Sequence, residues 1–131
     1  MITKVQALVD LATPLLGEIA LGSVDSSAAT VAAAILSRSG QTYTGVCVHL
    51  SCGIGFCAEH AAVAEMIKGR ETEVDTVVAV NADGILAPCG RCRELLVQIN
   101  RANFSAQVAL PGDRVLPLRD LLPDHWMQGH E

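Results

Sequence analysis

Aromatic side chains are scarce in this sequence and make up only 3% of its 131 residues. Proteins that bind single-stranded nucleic acid combine stacking aromatics with a basic surface. Here the formal net charge is −5, and the lysines and arginines are scattered along the chain. We therefore expect no nucleic-acid partner, and the charge favours a small substrate that is neutral or cationic.

Long apolar runs are also missing. No stretch reaches the roughly 18 uninterrupted apolar residues of a membrane span, and Asp10 interrupts the apolar N-terminal segment. Neither a membrane anchor nor a signal peptide is predicted. The five cysteines are an odd number, which argues against a disulfide framework. A reducing, cytoplasmic location and metal binding explain these cysteines better.

Half of the residues are hydrophobic and 18% are charged, which is typical of a folded chain. No linker or repeat interrupts it, so a single domain over 1–131 is predicted. The patterns indicate helices over 2–17 (ending at Gly17), 57–68, 89–100 and 118–122, and strands over 28–36, 42–50, 76–81, 106–110 and 115–116. Such an order predicts an α/β fold in which helices cover a mixed sheet.

Two short cysteine motifs stand at the predicted starts of two helices. The first is Cys57-Ala-Glu59 and the second is Pro88-Cys89-Gly-Arg-Cys92. Cys89 and Cys92 are one helical turn apart, so both sulfurs lie on the same side of the helix. With Cys57 they supply three thiolate ligands for one Zn²⁺ per subunit and leave the fourth position for water, as a catalytic zinc requires.

Glu59 follows the ligand Cys57 by two residues, so it can reach a water on the metal without binding the metal itself. We expect it to move a proton from that water to the substrate. A ligand-x-Glu motif followed by Pro-Cys-x-x-Cys is the signature of zinc-dependent deaminases. Three thiolates leave the site with a net negative charge, and Arg91 and Arg93 are the cations predicted to offset it.

Other roles for these cysteines stay open at this point. Cys89 and Cys92 could form a redox pair, or a closed structural zinc site could be completed by Cys47, Cys52 or a histidine. Neither alternative requires a glutamate beside a ligand, which favours the catalytic interpretation.

From about residue 26 to 126 the chain resembles the cytidine deaminase family, including its blasticidin-S deaminase branch. The resemblance rests on Thr44-Gly-Val46, on both cysteine motifs and on Leu121-Leu-Pro123. It implies a three-layer sandwich with a five-stranded mixed sheet between helices. It also implies a homotetramer with active sites near the subunit interfaces, zinc on Cys57, Cys89 and Cys92, and Glu59 as the acid and base.

The residues expected to contact substrate depart from this family. Nucleoside deaminases carry an Asn-x-Glu that binds ribose, but here Cys47 and His49 occupy those positions. A thiol is a poor replacement for an amide in holding a hydroxyl group. Phe56 could supply a ring face over the substrate base or could simply pack the loop. Trp126 could reach a neighbouring subunit's substrate or could be a packing anchor, and Ala58 completes the substrate-binding candidates.

The sequence therefore predicts hydrolytic deamination of a cytosine-like aminopyrimidine, as a base, nucleoside or nucleoside analogue. A zinc-activated water would attack the amino-bearing ring carbon, Glu59 would shuttle the proton and ammonia would leave. A blasticidin-type antibiotic or another aminated base is the alternative substrate. The alternative from another class is a structural zinc module without turnover.

Overall fold

A computed structural model describes residues 3–130, and in that range it has four α-helices and seven strands. In chain order these are α1 (Lys4–Ala12), β1 (Ile19–Ala20), β2 (Ser27–Ser37), β3 (Thr42–His49), α2 (Ala58–Lys68), β4 (Val74–Asn81), β5 (Gly84–Leu86), α3 (Gly90–Ile99), β6 (Gln107–Leu110), β7 (Arg114–Pro117) and α4 (Leu118–Leu121). Two 3-10 helices cover Thr13–Leu15 and Arg101–Ser105. No helix in this part of the chain is long and apolar enough to cross a membrane.

One mixed sheet joins all the strands. Its five principal strands have the order β3-β2-β4-β6-β7, in which β4 and β6 are parallel and the other neighbours are antiparallel. The short strand β1 pairs with β2, and β5 pairs with β4. The predicted mixed sheet is therefore confirmed, and β1 and β5 are short additions that the sequence patterns did not indicate.

Alternate residues of β2 supply the two hydrophobic cores. Ala32 and Ala34 pack with Leu8 of α1 on one face of the sheet. Ala33 and Ile35 face the opposite core, which contains residues of α2 and α3. Because side chains alternate along a strand, this pattern places helices on both faces and produces the three-layer arrangement. The small alanine side chains let the helices approach the sheet closely.

Gly45 of β3 brings α2 against the sheet. A Cβ atom at this position would lie 2.5 Å from the backbone nitrogen of Ala62 and 2.8 Å from the carbonyl oxygen of Ala58. Only glycine permits this approach, because real Cβ contacts are never so short. The contact fixes the start of α2, and with it Cys57 and Glu59, relative to β3.

The N-terminal helix is shorter than predicted, and Gly17 does not cap it. Helix α1 ends at Ala12, with Thr13 as its C-cap, and a 3-10 helix containing Pro14 follows. Thr13 keeps helical backbone angles, but Pro14 has no backbone N–H with which to continue the α-helical hydrogen bonds, so the α-helix gives way to the 3-10 helix there. Gly17 instead adopts φ +153° and donates its N–H to the carbonyl oxygen of Ala29 in β2. Residue 2, where the helix was predicted to begin, lies outside the described residues.

Candidate metal centre and substrate cavity

The N-terminal ends of α2 and α3 bring the three cysteines together. Cys57 is the N-cap residue of α2 and Cys89 that of α3, and both have extended backbone. Cys92 lies in the first turn of α3 and is fully buried. The helix N-termini carry partial positive charge, which favours ionised sulfur at both positions.

The three sulfur atoms lie within 4.8 Å of one another. Cys57 Sγ and Cys89 Sγ are 3.5 Å apart, as are Cys89 Sγ and Cys92 Sγ. Tetrahedral zinc with Zn–S bonds of about 2.3 Å separates its sulfur ligands by about 3.8 Å. The spacing and the thiol chemistry of Cys57, Cys89 and Cys92 therefore fit one zinc ion.

The cysteine thiols differ in acidity. Burial raises the pKa of Cys57 and of Cys92. Burial acts in the same direction at Cys89, but hydrogen bonds from the backbone of Cys92 and Arg91 and from the side chains of Cys92 and Cys57 together outweigh it and lower the pKa of Cys89. A divalent cation at this position favours the ionised form of every sulfur that it binds.

Glu59 lies in the first turn of α2 and is only 4% exposed. Burial raises the pKa of its carboxyl group above the ordinary value. Glu59 and the sulfur ligand candidates Cys57 and Cys89 line the same cavity. A carboxyl group in this position can exchange a proton with a molecule bound beside the sulfurs.

The two predicted charge-balancing arginines have different surroundings. Arg91 lines the cavity, and its Nη1 donates to the carbonyl oxygen of Gly55 at 3.3 Å. Arg93 donates from Nε to the Pro88 carbonyl oxygen at 2.9 Å and from Nη1 to the Leu121 carbonyl oxygen at 3.0 Å. Arg93 thus ties the loop before α3 to the end of α4, while Arg91 is the cation on the cavity wall.

A cavity of about 410 Å³ opens beside the cysteines. Four of the predicted substrate-binding residues line it: Cys47, His49, Phe56 and Ala58. Trp126 is not among the lining residues. It is 60% exposed, its ring stacks on His130, and its backbone N–H donates to Glu94 Oε1 at 2.8 Å. Its predicted role at a neighbouring subunit's substrate stays a prediction.

Two further residues at the site were not among the predicted site residues. His60 Nδ1 lies 3.5 Å from Cys92 Sγ, and burial and the nearby charge of Arg91 lower the pKa of the imidazole. Thr30 Oγ1 lies 3.0 Å from His49 Nε2 and 3.3 Å from Cys47 Sγ. Because His60 comes three residues after Cys57 on a predicted helix, its closeness to the cysteines could have been predicted from the sequence. Thr30 lies in an apolar strand, and nothing in the sequence indicates its contact with His49.

Comparison with known proteins agrees with this geometry. The family model described as "Cytidine and deoxycytidylate deaminase zinc-binding region" matches residues 6–107. The cytidine deaminase of Mycobacterium tuberculosis is 33% identical over 96 residues, which cover 72% of this chain and 70% of that protein. The blasticidin-S deaminase of Bacillus cereus is 32% identical over 78 residues, covering 50% of this chain and 54% of that protein.

Solved structures of cytidine deaminases have the same fold. The enzyme from Mycobacterium tuberculosis superimposes with a TM-score of 0.77 at 28% identity, covering 95% of this chain and 98% of that one. The enzyme from Burkholderia pseudomallei gives a TM-score of 0.74 at 26% identity, with 95% and 100% coverage. Almost the whole described chain is therefore accounted for by this fold.

Proposed function

We propose, from the premise that this chain belongs to the cytidine and deoxycytidylate deaminase family, that it removes the amino group of a cytosine-like aminopyrimidine by hydrolysis. Enzymes of this family are hydrolases that act on C–N bonds, and its model includes a zinc-binding region. The substrate would be a base, a nucleoside or a nucleoside analogue. The whole of residues 1–131 would act as one domain.

The observation that carries this proposal is the position of Glu59 beside a cluster of three cysteines, two of which, Cys57 and Cys89, line the same cavity as Glu59. A structural zinc site or a redox pair has no use for a buried carboxyl group facing an open cavity. A hydrolytic site needs such a group, because protons must move between water, the ring and the leaving amine.

The proposed roles of the residues follow from their places around the cavity. Cys57, Cys89 and Cys92 would hold one zinc ion per subunit, which when bound makes a water molecule acidic enough to serve as a nucleophile near neutral pH. Glu59 takes a proton from water and delivers it to the ring nitrogen, which makes the amino-bearing carbon more electrophilic. Glu59 then takes a second proton, from the hydroxyl group that the attack has placed on the ring carbon, and passes it to the amino group, which leaves as ammonia. Arg91 offsets part of the negative charge of the sulfurs.

The cavity walls hold the pyrimidine in place. Phe56 and Ala58 lie on either side of Cys57 in the chain, and both line the cavity. Their apolar surfaces can cover the faces of a planar base and exclude water from it. Phe56 is fixed by paired backbone hydrogen bonds with Val48, so its backbone is held in place without substrate.

Blasticidin S or another aminated base is a second candidate substrate. The similarity to the blasticidin-S deaminase of Bacillus cereus supports it. The absence of the ribose-binding Asn-x-Glu supports, more generally, a base with an appendage other than ribose, since Cys47 and His49 occupy those positions. An oligomer, a homotetramer by the family resemblance, and a cytoplasmic location complete the proposal.

The exchange Glu59→Gln tests the proton shuttle. We expect the purified variant to keep its zinc content but to release ammonia from cytosine, cytidine, deoxycytidine and blasticidin S at least about 1000-fold more slowly. Glu65→Gln, on the exposed side of the same helix, is the matched control and should keep its activity. A Glu59→Gln variant as active as the parent protein would show that the shuttle is misassigned. Zinc-loaded parent protein inactive on every aminated base would favour the structural zinc module.

A further inference from the structure

Three polar side chains form a cluster on the cavity wall. Thr30 Oγ1, Cys47 Sγ and His49 Nε2 lie within 3.4 Å of one another. The backbone N–H of Val31 also donates to Cys47 Sγ at 3.3 Å. Cys47 and His49 both line the cavity, and Thr30 lies behind them on β2. The three side chains are therefore already held in place by hydrogen bonds on this wall of the cavity.

An irregularity in β2 aims Thr30 at this cluster. Ala28 pairs with Val48 and Ala32 pairs with Val46, so Ala29, Thr30 and Val31 all lie opposite Cys47. Ala29 is buried and has φ +67°, a conformation that costs energy for any residue except glycine. Bulges and strained residues of this kind occur often where a strand redirects a side chain at a functional site.

One nitrogen of His49 is held by this cluster, and the other is free to meet a ligand. Nε2 contacts Thr30 and Cys47. For Nδ1 no hydrogen-bond partner is found among residues 3–130, and the side chain is exposed on the cavity wall. The network suits a ring that carries its proton on Nδ1, because Nε2 can then accept a hydrogen bond from the Thr30 hydroxyl.

The side chains that line the cavity do not share the excess of negative charge of the whole chain. Among the described residues that line the cavity, Glu59 is the only carboxylate, and the basic side chains are Arg91 and His49. A single imidazole nitrogen cannot hold two sugar hydroxyls as a carboxylate can. An Nδ1–H group can, however, donate one hydrogen bond to an anionic oxygen, which is a stronger acceptor than a hydroxyl group. The net charge predicted a neutral or cationic substrate, but the wall around His49 suits an anionic group.

We propose that Thr30, Cys47 and His49 form a subsite for an anionic oxygen group, a phosphate or a carboxylate, carried by the aminopyrimidine substrate. His49 contacts the anion through Nδ1, and Thr30 is a positioning residue that holds the imidazole ring. This inference rests on the proposed deaminase function and specifies its substrate class.

Substrates that share one base but differ in charge test the subsite. Ammonia release by the zinc-loaded protein is measured for cytidine against cytidine 5′-monophosphate, and for cytosine against cytosine-1-acetate. The first pair reports on phosphate and the second on carboxylate. We expect the charged member of at least one pair to have the higher kcat/KM, through a lower KM. Preference for the neutral member in both pairs would overturn the inference.

Variants of Thr30 and His49 distinguish a specific role in binding the anion from a general disturbance of the fold. His49→Gln should raise KM for the charged substrate about tenfold relative to its neutral partner. Thr30→Val should also raise KM for the charged substrate selectively, though by less. Thr30→Ser should keep the parent KM because it retains the hydroxyl, and it serves as a folded reference. Thr42→Val, at the far exposed end of β3, is the matched control and should change neither KM. Equal losses for charged and neutral substrates would contradict the assigned role.

Failure of the proposed deaminase function can be distinguished from failure of the proposed anion subsite. If no cytosine derivative released ammonia, the proposed function would be wrong, and calorimetric titration of the same substrate pairs into the zinc-loaded protein would still decide the inference. Tighter binding of a charged member that is weakened in His49→Gln would support the subsite. Equal or weaker binding of both charged members would refute it.

Discussion

Asn103 is fully buried, and its side chain joins three segments of backbone. Its Nδ2 donates to the carbonyl oxygens of Thr72 at 3.0 Å and Leu96 at 2.9 Å, and its Oδ1 accepts from the Val74 N–H at 2.7 Å. Asn103→Asp would place a carboxylate oxygen against two carbonyl oxygens at a fully buried position. We expect the free energy of unfolding to fall by about 3 kcal/mol, measured by urea denaturation at neutral pH.

Asn100→Asp is the matched control for this exchange. Asn100 Oδ1 accepts from the Ala102 N–H at 2.8 Å, a role that an aspartate fulfils equally well at the start of a 3-10 helix. Its Nδ2 donates to the exposed hydroxyl of Thr72 at 3.1 Å. The control should lose less than about 1 kcal/mol. Equal losses in both variants would show that burial of the Asn103 amide is not what matters.

Single residues were predictable from the sequence where their function depends on local spacing. Cys89 and Cys92 lie one helical turn apart, and Glu59 lies in the first turn beside Cys57, so any helix starting there groups them. Their assigned roles remain proposals. Thr30 could not be predicted, because its contact with His49 depends on the bulge in β2 and on strand register, neither of which composition or periodicity encodes.

At the scale of elements, the close approach of α2 to β3 depends on Gly45. A methyl group there would lie 2.6 Å from the Ala61 Cβ as well as 2.5 Å from the Ala62 nitrogen, so the helix would have to move away from the sheet. Gly45→Ala should lower the free energy of unfolding by about 3 kcal/mol or prevent folding. Because the displaced helix carries Cys57 and Glu59, ammonia release should fall too.

Gly22→Ala is the control for this substitution. A Cβ atom at Gly22 would have no neighbour within 4 Å, and its φ lies outside the left-handed region. Thermal melting followed by circular dichroism should give a melting temperature close to that of the parent protein. A Gly45→Ala variant that melted like Gly22→Ala would contradict the proposed packing.

Elements with a strong pattern and clear boundaries were predicted well. The strands predicted over 28–36 and 42–50 match β2 and β3 within one residue at each end, and the two form an antiparallel hairpin. Strands β1 and β5 have only two and three residues, too few for any periodicity to show. The end of α1 was misplaced because a continuous apolar pattern concealed the effect of Pro14.

At the scale of the whole molecule, the candidate zinc site connects parts of the chain that are distant in sequence. Cys57 and Cys89 are 32 residues apart and cap helices that lie on either side of β4 and β5 in the chain. An ion bound there closes this long loop in the folded state and finds no such arranged site in the unfolded chain. Its binding free energy is then added to the stability of the fold.

Removal of zinc should therefore destabilise the whole fold. For free zinc at about 1000 times its dissociation constant, binding contributes about 4 kcal/mol, which corresponds to a shift of roughly 10 °C or more in a chain of this size. We expect dialysis against a chelator to lower the melting temperature by this amount and added zinc to restore it. Cys57→Ser should abolish the response to zinc, whereas Cys52→Ser, an exposed cysteine outside the cluster, should preserve it. An unchanged melting temperature after verified loss of the metal would contradict this prediction. It would show that the apolar contacts of α2 and α3 with the sheet are enough to hold these helices in place.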